Sequence, residues 1–134
     1  MTDITQEVIE AVVARVKSQV SDVSNRVFFE PPQKTQFPYI RFAFSVSDIL
    51  MKDGNGQEFQ FTFSTYTQRG AVGALTAATA IAKKIYDALD KYDLTLAVGN
   101  AFCCHWDGLS TAFTEEDNRT IQYVSRYKIL TTNN

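Results

Sequence analysis

Residues 58–65 read Glu58-Phe59-Gln60-Phe61-Thr62-Phe63-Ser64-Thr65, an unbroken alternation of apolar and polar side chains before the terminal threonine. Successive side chains on a strand point to opposite faces, so this run puts its phenylalanines on one side of a sheet. Upstream, Tyr39 to Val46 repeats the pattern, with Ile40, Phe42, Phe44 and Val46 on one face and Arg41, Ala43 and Ser45 on the other. Between the two runs stands Asp53-Gly54-Asn55-Gly56, a strong turn signal. The runs are expected to pair as a hairpin whose distal loop carries Ile49, Leu50 and Met51. A sheet with one apolar face needs cover on that face.

Helices supply the cover. Ile4, Val8, Ile9, Val12, Val13, Val16 and Val20 recur at three- and four-residue spacing after Asp3 and Gln6, a pair that resembles a capping box. Glu10, Lys17 and Ser18 fall on the opposite side, as in a helix laid on a sheet. From Gly70 to about Asp90 a second stripe comprises Ala74, Ala78, Ile81, Ala82, Ile85, Ala88 and Leu89, with Thr79, Lys83, Tyr86 and Asp87 opposite. Its alanines allow close approach to the sheet. Pro31, Pro32 and Pro38 punctuate an extended loop before the first long strand. Leu94 to Val98, Phe102 to Trp106 and Thr120 to Leu130 read as further strands, the last two separated by a polar stretch from Thr114 to Arg119. The expectation is an α+β domain, ordered α-β-β-α-β-β-β, with two helices on one face of a mainly antiparallel or mixed sheet. One domain spans residues 1–134, a length for which one core suffices.

Charge and cysteine usage narrow the function. A formal net charge of -2, from 13 basic and 15 acidic residues, offers no basic run to neutralise phosphates and argues against sequence-specific nucleic-acid recognition. Residues 1 to 20 carry Glu7, Glu10, Arg15 and Lys17 inside the helical pattern, so they read as neither signal peptide nor membrane span. The cysteines are the adjacent Cys103 and Cys104, which on a strand face apart and cannot readily bond each other.

Cys103, Cys104 and His105 invite a nucleophile or zinc reading, yet alternation puts Cys103 and His105 on one face and Cys104 with Trp106 on the other. One histidine and two cysteines also fall short of the four ligands a structural zinc takes. They read as packed strand residues. Glu115, Glu116 and Asp117 are the densest acidic group, in a loop where burial cannot tune an acid or base. Gly54 and Gly56 lie between strands, not before a helix, so no phosphate-binding loop is present. Ser110 lacks a triad. The expectation is therefore no catalytic, metal or cofactor site. Ile49, Leu50 and Met51, apolar near a hairpin tip, either meet a partner or fold back; they and Glu115, Glu116 and Asp117 are the candidate partner-binding residues.

Taken together, Val27-Phe28-Phe29 to Pro31-Pro32, then Phe37-Pro38-Tyr39-Ile40, the Asp53-Gly54 turn, the Ile81 to Leu89 helix with Tyr86-Asp87-Ala88-Leu89, and a closing strand after Asp117 resemble a known family. The pattern is similar to the tail terminator (tail completion, head-to-tail joining) proteins of long-tailed bacteriophages and prophages. Phe102 to Phe113 departs from that pattern. The resemblance implies a structural virion protein that forms a homo-oligomeric ring of six copies on the head-proximal end of the tail tube. It implies that the ring stops tube polymerisation and joins tail to head, with the major tail tube protein and the head-completion or connector protein as partners. It implies assembly in the host cytoplasm, DNA only as cargo through the lumen, no cofactor and no membrane. A slightly acidic chain suits such a passage, because a strongly basic lumen would retain DNA. The competing reading is a small-molecule or protein binding module whose phenylalanines line a pocket under the helices.

Overall fold

The computed structural model describes residues 5–51, 54–68, 73–92, 100–101, 104–114 and 120–132. Helix α1 spans Thr5–Gln19, followed by a 3₁₀ turn at Ser21–Val23. The strands are β1 (Val27–Phe28), β2 (Tyr39–Met51), β3 (Gly54–Gln68), β4 (Asn100–Ala101), β5 (His105–Thr114) and β6 (Thr120–Thr132), and α2 (Ala74–Leu89) lies between β3 and β4. The sheet runs β1-β2-β3-β6, and both β4 and β5 pair with the far side of β6. Only β1 and β2 pair parallel; the remaining pairs are antiparallel.

Register brings the apolar rows together. Phe42, Phe63 and Ser125 are cross-strand neighbours, as are Phe44, Phe61 and Tyr127, and then Val46, Phe59 and Ile129. Phe59, Phe61 and Phe63 are fully buried, with ring centroids 6.4 and 6.1 Å apart along β3. Val8, Val12 and Val16 of α1 and Ile81, Ile85, Ala88 and Leu89 of α2 close over the same core. The β-branched α1 stripe is a weak helix former, so this packing holds it in place. Arg15 ties the two helices: its Nε donates to the Ala88 carbonyl at 3.0 Å, where the helix dipole favours a cation, and its guanidinium lies 3.9 Å over the Tyr92 ring. The opposite face of the sheet bears polar groups, with Lys128 paired to Glu58 at 3.3 Å and Gln60 donating to Asp107 at 3.0 Å.

Three sequence expectations shift. Ile49, Leu50 and Met51 are not in a distal loop: β2 continues through Met51, pairing these residues with Gly56, Asn55 and Gly54. Gly54 to Gly56 thus belong to β3, since the neighbouring ladder holds glycines that alone favour a turn. Helix α2 starts at Ala74, after an N-cap at Gly73, and not at residue 70. The strand expected to end at Trp106 instead runs from His105 to Thr114, with a register shift between Trp106 and Ser110 and Gly108 at φ 74°. The two extra residues keep the period-two phase, but the core-side positions that follow are Ser110, Ala112 and Thr114, so no apolar alternation marks the second half of β5. Gln6, assigned to a capping box, donates to Glu10 at 3.1 Å, while Asp3 lies outside the described residues, as does the strand expected at 94–98.

Truncating the central ring should leave a cavity that helices held on two sides cannot fill. Phe61→Ala is expected to lower unfolding stability by about 3–5 kcal/mol in chemical denaturation, whereas Ser45→Ala on the open face should change it by less than about 0.5 kcal/mol.

Candidate assembly surfaces

The covered sheet leaves its two lateral edges as the exposed main-chain surfaces. β1 reaches only Ile40 and Arg41 of β2. The Ile40 amide donates outward to the Arg26 carbonyl at 2.9 Å, away from β3. Because main-chain groups alternate sides along a strand, Phe42, Phe44, Val46 and Asp48 also direct their N–H and C=O groups outward. Among the described residues no strand lies against Phe44, Val46 or Asp48. An apolar groove of about 310 Å³ borders this edge on the helix side, lined by Ile9, Val13, Ala14 and Phe42 with Glu10 and Lys17 at its rim. Phe29, 46% exposed, packs its ring edge-on to Phe42 and Phe44 at 5.7 and 5.8 Å.

At the opposite edge, α2 and β5 enclose a groove of about 260 Å³ lined by Tyr86, Lys83, Trp106, Ser110, Tyr123 and Tyr127 among others. Trp106 meets the Tyr86 ring edge-on at 5.9 Å, its amide donates to the Asp90 carboxylate at 2.9 Å, and its indole N–H donates to Ser110 at 3.3 Å. The hydrogen bond to Asp90, and then its charge, push the Tyr86 phenol above its ordinary value. Burial pushes the Tyr127 phenol up further, against an opposing hydrogen bond with Ser125. Phe113, 46% exposed, stands at the same edge. Sequence patterning does not single out Phe29, Trp106 or Phe113; the missed signal is that runs such as Phe42 to Ser47 carry no charge to guard an edge.

The candidate partner-binding residues separate into two groups. Ile49, Leu50 and Met51 continue the β2 edge in backbone, with side chains outside those described, and Glu115, Glu116 and Asp117 lie outside the described residues. Cys104 is buried and its backbone bridges to Tyr92, while His105 faces solvent on the next position, so the two do not converge; Cys103 is outside the described residues. No group of three His, Cys, Asp or Glu able to hold a metal occurs among the described residues. No helix there is long and apolar enough to cross a membrane. Phe59, Phe61 and Phe63 fill the core, and the grooves lie beside it.

These features define an α+β domain whose distinctive surfaces are sheet edges suited to protein contacts. The chain belongs to the family described as Tail completion protein gp17, which matches residues 10–132. It is accordingly a structural protein of the bacteriophage virion tail. No curated protein matches it. Among solved structures, 17 chains match. One belongs to a structure described as the virion of a native gene transfer agent particle, at 20% identity and a TM-score of 0.81 over 98% of each chain, a likeness of fold.

The buried phenol gives this domain an alkaline limit. Above pH 10 the unfolded chain releases the Tyr127 proton while the folded chain retains it, so rising pH favours unfolding; below pH 10 the contribution is complete. Tyr127→Phe should reduce the fall in Tm between about pH 9 and 11, read by calorimetry at matched ionic strength. An unchanged slope would assign the alkaline loss to other groups.

Proposed function

We propose that the protein is a tail terminator: its copies close into a ring on the head-proximal end of the tail tube, halt tube polymerisation and present a surface to the head connector. The carrying observation is the sheet itself, covered by helices on one face and bounded by unlike edges, β2 on one side and β5 on the other. Unlike edges favour head-to-tail contacts, and head-to-tail contacts close into rings when the rotation permits. Family membership supports the tail as the place of that ring. Residues 1–134 act in it as one unit, in six copies, with DNA passing through the lumen as cargo. The ends of the strands meet the neighbouring layers: the Ile49 to Met51 end of the β2–β3 hairpin, and Glu115 to Asp117 between β5 and β6, are the proposed contacts to tube protein or connector. Catalysis has no part in this role.

The test combines light scattering after size exclusion with tube growth. Purified protein is expected to form rings of about six subunits, alone or on tubes, and when added to polymerising major tail protein to fix tube length by capping one end. Tubes that grow to the same length at every ratio of added protein, with no bound rings by negative stain, would overturn the reading.

A further inference from the structure

We propose that the outer edge of β2 in one copy pairs antiparallel with the outer edge of β5, residues 110–114, in the next, so that the sheets of neighbouring copies run on into one another. The inference rests on the ring reading and names its interface.

Four observations carry it. The first is the composition of the β2 edge. From Phe42 to Met51 it reads Phe-Ala-Phe-Ser-Val-Ser-Asp-Ile-Leu-Met, with Asp48 its sole charge and no proline or lysine, and its register with β3 is unbroken. Soluble proteins guard such edges with charges, prolines or bulges, because a bare row of outward N–H and C=O groups recruits other strands. An unguarded edge of this length, about 33 Å, is open to pairing with another chain. The second is the β5 edge: Ser110-Thr111-Ala112-Phe113-Thr114 also carries no charge, and among the described residues no strand lies beyond it.

The third is strand sense. β2 is antiparallel to β3, β3 to β6 and β6 to β5, so β2 and β5 point in opposite directions within one copy. A rotation about an axis from which the strands tilt by about 35–45°, as in a barrel, sets β5 of one copy antiparallel to β2 of the next, and its stagger of about one residue pair per strand carries Ser45 of the next copy from the level of His105 to that of Thr111. It also keeps helices on the helix side and polar groups on the open side. Pairing of two β2 edges would need a two-fold axis across the strands and would leave both β5 edges uncovered.

The fourth is where the exposed aromatics lie. Phe29 flanks the β2 edge, while Trp106, Tyr86 and Phe113 flank the β5 edge. Phe29 and Trp106 are both on the helix side, the first against Phe42 and Phe44, the second against Tyr86. Edge pairing places Phe29 of one copy and Tyr86 and Trp106 of the next on the same, helix-covered side of the joined sheet. The partner is thus a second copy of this chain, matched to it in strand sense, in lack of edge charge and in aromatic surface.

The experiment uses the full chain with single cysteines on the open face, Ser45→Cys in one preparation and Thr111→Cys in another. Both positions are exposed and fall on the same side of the sheet. A short bis-maleimide spans adjacent strands even with a slip of one residue pair, about 7 Å. The variants are mixed in the oligomer, alone or on purified tail tubes, after circular dichroism confirms native folding, with the unsubstituted chain as the thiol background. Cross-linked dimer in the mixture, lost when either cysteine is absent and mapped by mass spectrometry to residues 45 and 111, supports the pairing. Cross-linking of Ser45→Cys with itself would replace it with a two-fold β2 contact. Oligomer with no specific cross-link would overturn the edge pairing and leave the ring reading standing. Protein that stays monomeric in solution and does not bind tubes would overturn both.

Discussion

The row of phenylalanine rings along β3 is the contact on which the rest of the structure depends. Phe59, Phe61 and Phe63 sit at the middle of the sheet, flanked by Phe42, Phe44 and Val46 on β2 and by Tyr127 and Ile129 on β6. Burying one such side chain is worth about 1.5–3 kcal/mol, so this row outweighs the surface ion pairs such as Lys83 with Asp87, which contribute little. Because a strand alternates its side chains, concentrating the rings on one face leaves the other face to Ser45, Gln60, Thr62 and Lys128. Both helices are then needed on the same side, and none remains to shield the edges. The outward character of the β2 edge is thus a consequence of how the core is built.

The buried aromatic groups fill the interior, and Cys104 and His105 point in different directions from consecutive positions. What the fold offers instead is main-chain hydrogen-bonding capacity along β2, apolar side chains at both lateral edges, and an open face of mixed polar groups. Those are the means by which a small chain builds a larger object, and they agree with membership of a tail completion family.

The central fold was legible because period-two and period-3.6 patterns depend on local sequence alone. The alternation at 39–46 and 58–65, the valine stripe of α1 and the alanine-rich stripe of α2 all returned as the core. Extents were less legible, because they are set by neighbours. Asp53-Gly54-Asn55-Gly56 favours a turn in isolation, yet Gly54 to Gly56 are held in β3 by pairing with Leu50 and its neighbours. The second half of β5 was hidden because its core-side positions, Ser110, Ala112 and Thr114, are small or polar while Phe113 falls on the open face, so no apolar alternation marks it. The β5 groove was hidden for a different reason: Tyr86 and Trp106 are far apart in sequence, and only the docking of α2 beside β6 brings their rings together. Ile49 to Met51 was recognised as apolar and exposed to choice, but its role as the continuation of an open strand edge required the ladder.

The central claim is that the β2 edge is empty in the single copy and filled on assembly. Residue-resolved amide hydrogen exchange, compared between the monomer and the oligomer or tube-bound form, reads it directly. The amides of Phe44, Val46 and Asp48, which point outward, should exchange fast in the monomer and become protected on assembly, while those of Ser45 and Ser47, already directed at β3, should be slow in both. Outward amides that exchange equally fast in the assembled form would contradict the account.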